Sequence, residues 1–267
     1  MPTWRRFSED FKFVDIYKNS LEFRQLQFIT SVPFLGKHPV NRSSHSKNEI
    51  KKLLNHPLLS SEKKALSFNA KKSYYYSYIG IYRILGDFEK NCNYTKRWIE
   101  FIEKDSAHLQ THSLDYIEGM VRLLTYHYML KRGDELLRCY NKVNAFFTTL
   151  PQKLKTKKCN TLILKSNVIQ LYYFAESNQF LNAEKKIQFI AKENDYQKLI
   201  DKDTLLSFYF MSSALYLIIG QYKNAVKWLN ELINTNEKKI RQDLFQDAKI
   251  LSIIIHYELG NIDYLIY

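Results

Sequence analysis

The chain has 267 residues, 45% of them hydrophobic and 25% charged, which is enough to bury a sizeable core as one large domain or a repeat array. Its formal charge is +13, from 40 Lys and Arg against 27 Asp and Glu, a balance that admits an anionic partner such as nucleic acid. The excess is diffuse: residues 1–57 contribute +5 and the rest is spread over the remaining 210 positions, so it reads as lysine enrichment rather than a phosphate-binding patch.

Three widely spaced cysteines, Cys92, Cys139 and Cys159, form no C-x-x-C pair. That argues against a disulfide framework or a structural zinc and favours a reducing, cytoplasmic compartment. No stretch approaches 18 uncharged apolar residues, and "MPTWRRFSEDFKF" lacks the apolar core of a secretory signal, so neither a membrane span nor export is expected.

Residues 1–57 read as an N-terminal helical and linker region. "FSEDFKFVDIYKNSLEFRQLQFI" has helical spacing, whereas "SVPFLGKHPVNRSSHSK" is rich in breakers and reads as a loop. A boundary is placed near residue 58, with Ser60 as N-cap of a following long helix. Beyond it Pro151 is the only proline, and a proline inside a helix costs about 3 kcal/mol. Residues 58–267 are therefore expected to be all-α. Gly86, Gly133, Gly220 and Gly260 each follow one apolar-periodic segment and precede another, the place where a helix C-terminus takes a residue of positive φ.

Aligning those glycines exposes a repeat. Gly220 has Tyr216 four residues before it, Tyr222 two after and Ala225 five after; Gly86 has Tyr82 and Phe88 in the same places, with Asn91 where alanine is expected. Asn178 fits the same slot, flanked by Phe174, Phe180 and Ala183, and Gly260 opens a last copy. Around Gly133 the fit is poorest, since Met129 and Glu135 stand where aromatics are expected. The pattern Tyr-x3-Gly-x-Tyr-x2-Ala resembles the tetratricopeptide (TPR) family over residues 60–267. Centres 40–47 residues apart, against a standard repeat of 34, imply a TPR-like α-solenoid of stacked antiparallel helix hairpins with irregular spacing. "FNAKKSYYYSYIGIYRILGDFEK" is also similar to helical-repeat proteins of Bacteroidota-type bacteria, a likeness that implies no activity. Only "NIDYLIY" follows the last turn and the chain ends on Leu265, Ile266 and Tyr267, so it reads as truncated at an open end.

Chemistry is sparse. No Gly-rich phosphate loop, nucleophile motif or paired apolar carboxylates occur, so no catalytic residue, cofactor or metal ligand is assigned and an enzyme is not expected. His108 and His112 have the i,i+4 spacing of a metal pair, but "DSAHLQTHSLD" reads as a solvated loop. The lysines of "PQKLKTKKCNTLILK" read as a solvated linker, without aromatics that could stack bases. In "SYYYSY" the 100° helical step forbids all three consecutive tyrosines from facing one core. The resemblance implies that first helices line a concave groove, and its groove positions fall on Tyr76 and Arg83 and on Lys165 and Tyr172. Tyr76 and Gly80 stand where a carboxylate clamp would need Lys and Asn, so chaperone-type clamping is not implied. The leading expectation is a non-catalytic protein–protein interaction scaffold for a protein or peptide partner. The alternative is a ligand- or peptide-sensing regulator whose residues 1–57 bind nucleic acid through a helix-turn-helix.

Overall fold

The computed structural model describes residues 3–31, 44–193, 195–235 and 240–261. Most of the breaker-rich loop and the terminal Leu265, Ile266 and Tyr267 lie outside the described residues. Every regular element among those described is helical, none is a β-strand, and no helix is long and apolar enough to cross a membrane. The chain forms two compact units, Met1–Leu130 and Lys131–Tyr267.

The first unit contains α1 (Thr3–Ser31), α2 (Ser44–Lys52), short 3-10 turns between Leu53 and Lys64, α3 (Phe68–Leu85), α4 (Phe88–Glu103), the short α5 (Ser106–Thr111) and α6 (Ser113–Met129). α1 packs along α3, α3 against α4, and α4 against α6. The stretches on either side of residue 58 thus share one unit. Phe23 and Leu26 of α1 are buried, Ser73 Oγ donates to Gln27 Oε1 at 2.8 Å, and Asn19 bonds both the Lys64 carbonyl and the Leu66 N–H at 3.0 Å. The helices approach closely at Gly80, where an added Cβ would lie 2.7 Å from Thr30 Oγ1. The long helix is capped by Ser67, whose Oγ accepts from the Ala70 N–H at 3.1 Å. Ser60, the cap expected from sequence, instead donates to the Pro57 carbonyl within a 3-10 turn.

The second unit contains α7 (Gly133–Thr149), α8 (Lys157–Glu176), α9 (Phe180–Lys192), the one-turn α10 (Tyr196–Leu199), α11 (Lys202–Ile218), α12 (Tyr222–Ile233) and α13 (Gln242–Glu258). α7 packs on α8 and α8 on α9; α11 touches α8, α9, α12 and α13. Its core runs through Leu171, Ile187, Phe208, Leu215, Trp228, Leu232 and Ile255. Full burial of each such side chain contributes roughly 1.5–3 kcal/mol.

Four of the described helix C-termini share one geometry. At Gly220, φ is +73°, the Gln221 N–H returns to the Tyr216 carbonyl at 2.8 Å and the Gly220 N–H to Leu217 at 3.0 Å. These two bonds satisfy carbonyls that the helix end leaves orphaned, and they require a left-handed residue between them. Gly86, Asn178 and Gly260, at φ +76°, +57° and +71°, close the same pair of bonds. The packing register is also common. Seven residues before the turn residue and five after it lie Ile79 and Asn91, Leu171 and Ala183, and Ser213 and Ala225, all buried. Asn91 Nδ2 donates to the Ile79 carbonyl at 3.0 Å, and Ser213 Oγ to the Ala225 carbonyl at 2.9 Å.

Gly133 departs from expectation. The left-handed residue is Lys131, at φ +56°, and Gly133 is the first residue of α7. A Cβ there would lie 2.6 Å from the Tyr173 hydroxyl, so the missing side chain serves the close approach of that ring rather than a turn. Centred on Lys131, the frame puts His127 in the aromatic place and the buried Leu136 in the alanine place, which explains the poor fit around Gly133.

Candidate interaction faces

In the first unit the three tyrosines of α3 point in different directions. Tyr74 and Tyr75 are buried, their rings edge-to-face at 5.3 Å. Tyr76 is half-buried on the side of α6, its ring covered by the Arg122 guanidinium at 4.7 Å and edge-on to Trp98 at 5.9 Å. Burial pushes its phenol well above the ordinary tyrosine value, and among the described residues neither its hydroxyl nor Trp98 Nε1 has a hydrogen-bond partner of good geometry.

Arg83 lies two turns further along α3, exposed and close enough to Tyr126 and Arg122 of α6 to feel their charge. Surrounding protein, and behind it the like charge of Arg122, draw its guanidinium below the ordinary value, with Tyr126 opposing. Lys72 pairs with Asp115, and Arg122 bonds Glu118 at 3.1 Å. The sequence Lys72–Asp115, Tyr76–Arg122, Arg83–Tyr126 ascends on both helices, so α3 and α6 run parallel along this face. Tyr76 and Arg83, singled out in the sequence, thus share one face. Arg122 and Tyr126, some 45 residues away in sequence, complete it, and no local pattern marks them.

In the second unit Lys165 and Tyr172 are half-buried, seven residues apart along one side of α8. The Tyr172 hydroxyl meets Ser207 of α11, and burial raises its pKa. Arg241, just before α13, joins the same group: Nη1 donates to Ser207 Oγ at 2.9 Å and to Asp203 Oδ1 at 3.2 Å, and Nη2 to Asp243 Oδ2 at 2.7 Å. Asp243 and Asp203 hold its guanidinium above its ordinary value. Tyr172 of α8, Ser207 of α11 and Arg241 before α13 therefore form a second tyrosine–arginine face.

His108 and His112 do not lie in a solvated loop. Asp105 caps α5, accepting from the Ala107 N–H at 2.8 Å, and this short helix folds both rings onto Phe68. His112 stacks on Phe68 with centroids 3.5 Å apart and planes 9° from parallel. The two imidazoles are 6.1 Å apart and inclined by 63°, and no group of three potential ligands among the described residues could hold a metal ion. Burial pulls the His112 imidazole below its ordinary value; Asp115 opposes this, while His108 and Lys72 reinforce it.

Two apolar stretches also face outward. Phe13, Tyr17 and Phe28 stand exposed along one side of α1, and Ile250, Ile253 and Tyr257 along α13. A cleft of about 370 Å³ lies beside α1, lined by Glu22, Gln25, Ile29, Leu53 and His56 among others. Of the expected linker lysines, Lys153 is exposed in a 3-10 turn, while Lys157 and Lys158 already belong to α8. Neither any family model nor any curated protein matches the chain.

Proposed function

We propose that the chain is a non-catalytic protein–protein interaction scaffold, a TPR-like α-solenoid whose first helices present a groove to a peptide or helix. The common turn and packing register at Gly86, Asn178 and Gly220 supports a repeated hairpin, because a unit of this kind buries its apolar faces only against neighbours. The parallel course of α3 and α6 is the geometry that successive first helices adopt in such an array.

The observation that carries the reading is the Tyr76–Arg122–Arg83–Tyr126 face. Tyrosine and arginine are the side chains most enriched at interface hot spots, since each combines a large stacking surface with polar anchoring. The exposed Arg83 guanidinium, drawn below its ordinary value by the surrounding protein and with the like charge of Arg122 beside it, favours a carboxylate, so the partner segment carries Asp, Glu or a free C-terminus. The alternative of a nucleic-acid-binding N-terminus gains no supporting observation: Thr3–Ser31 is one continuous helix laid along α3.

A random peptide display library selected against the immobilised protein tests this reading. Enrichment of carboxylate-bearing sequences, with their recovery lost on an R83A/R122A double variant that unfolds normally, supports it. Enrichment of peptides indifferent to both substitutions removes this face from the proposal.

A further inference from the structure

Lys186 of α9 occupies a polar cluster with Tyr140 of α7 and Asn167 of α8. Its Nζ donates to Tyr140 Oη at 2.9 Å and to Asn167 Oδ1 at 3.0 Å, and Tyr140 Oη donates to the same Oδ1 at 2.7 Å. The amide orientation is fixed, because Asn167 Nδ2 donates to the Ile163 carbonyl at 2.9 Å and leaves Oδ1 as the acceptor. Asn167 is 1% exposed, whereas Lys186 is half-buried and so keeps one open side. Two aromatic rings flank the amine, Tyr140 at 4.8 Å and Phe189 at 5.1 Å, and Phe189 is itself exposed.

Among the described residues no carboxylate compensates this lysine. Burial alone acts on it and lowers its pKa to about 8, while burial pushes the Tyr140 phenol up to about 12. Near neutral pH the phenol therefore keeps its proton while an appreciable share of the amine is neutral. Two N–H bonds are held by Tyr140 and Asn167, which turns the nitrogen lone pair toward the open side. That is the arrangement of an amine nucleophile rather than of a salt-bridge cation.

From this cluster we infer that Lys186 is a covalent capture site for aromatic aldehydes, which it holds as an imine with the exposed Phe189 ring against the ligand ring. The amine lone pair attacks the carbonyl carbon, the carbonyl electron pair moves to oxygen, and one amine proton transfers to that oxygen to give a carbinolamine. Tyr140 then donates its proton to the departing hydroxyl, water leaves as the carbon–nitrogen double bond forms, and the iminium proton returns to Tyr140. One amine and one aldehyde give one imine and one water, with no oxidant or further reactant.

The full chain is treated with substoichiometric salicylaldehyde and cyanoborohydride at pH 7.5, and modified lysines are located by peptide mass mapping. An exposed lysine at its ordinary value is only about 0.1% neutral at that pH, and the gain at Lys186 is partly offset by its weaker basicity. Lys186 should therefore be labelled roughly tenfold faster than exposed Lys185 or Lys223, with a rate midpoint near pH 8. Acetaldehyde, which has no ring, should show a smaller preference. Y140F, with its circular dichroism unchanged, should slow labelling of Lys186 and leave Lys185 alone. Labelling of Lys186 no faster than Lys185, or a midpoint near pH 10, overturns the assignment, and an unaffected Y140F overturns the proton relay.

Discussion

Replacing Gly80 by alanine separates two opposing effects whose sum changes sign with the position of α1. In an isolated helix interior, Gly→Ala stabilises by about 1 kcal/mol, because the unfolded glycine has more freedom to lose. Here the new Cβ would stand 2.7 Å from Thr30 Oγ1, 2.9 Å from Thr30 Cβ and 3.0 Å from the Thr30 carbonyl oxygen, where carbon contacts prefer about 3.5–4.0 Å. One of those atoms is backbone, so a rotamer change of Thr30 alone does not clear the site. α1 must shift by several tenths of an ångström. It does not detach, because freeing Phe23 and Leu26 would forfeit roughly 1.5–3 kcal/mol each. Overpacking of this kind costs about 1–3 kcal/mol, which leaves G80A between neutral and about 2 kcal/mol less stable. Urea unfolding gives the magnitude, and hydrogen exchange should show lost protection in peptides from α1 and α3. In a double-mutant cycle T30A, which removes the Oγ1 contact, should recover about 1 kcal/mol of the loss. A G80A protein stabilised by about 1 kcal/mol, with exchange in α1 unchanged, would falsify the placement of α1 against α3.

Two further tests read buried polar groups. Y76F should be neutral or slightly stabilising in urea unfolding, since its hydroxyl has no partner of good geometry; Y78F, whose hydroxyl donates to the Leu59 carbonyl at 2.7 Å, should cost about 1 kcal/mol. Equal losses for the two variants would contradict the packing of α3. The His112 imidazole is lowered in the folded chain, so between its folded value and about 6.5 the unfolded chain binds the extra proton. Its contribution to stability is therefore full above pH 6.5 and is lost as the pH falls through that window. The urea midpoint of the wild type should drop more between pH 7 and pH 5 than that of H112F, which keeps a ring on Phe68; identical drops would show that the stacked imidazole takes up its proton in the folded chain as it does in the unfolded one.

The parts of the fold legible in the sequence are those set by local backbone chemistry. Gly220 needs a positive φ and its neighbours Tyr216, Tyr222 and Ala225 sit at fixed offsets, so the turn can be read within ten residues. Asn178 is readable for the same reason, as the other residue that tolerates the left-handed region. Lys131 is not, because lysine carries no such signal and Gly133, held for the sake of the Tyr173 ring, draws the frame two residues away. The fit of α1 to α3 depends on Thr30 meeting Gly80 across fifty residues, which no periodicity encodes. The same distance hides Arg122 from Tyr76, so the sequence points to half of each tyrosine–arginine face and packing supplies the rest. The histidine pair misleads because an apolar partner, Phe68, lies forty residues upstream of a segment whose own composition is polar.

If the α3/α6 face recognises a carboxylate-bearing segment, as proposed, titrating the best display-selected peptide into isotopically labelled protein should give chemical-shift changes concentrated at Tyr76, Arg83, Arg122 and Tyr126. R83A/R122A should weaken binding by roughly 30-fold, the equivalent of one hot-spot loss of about 2 kcal/mol. Shifts confined to other helices, together with an unchanged affinity of the double variant, would contradict it.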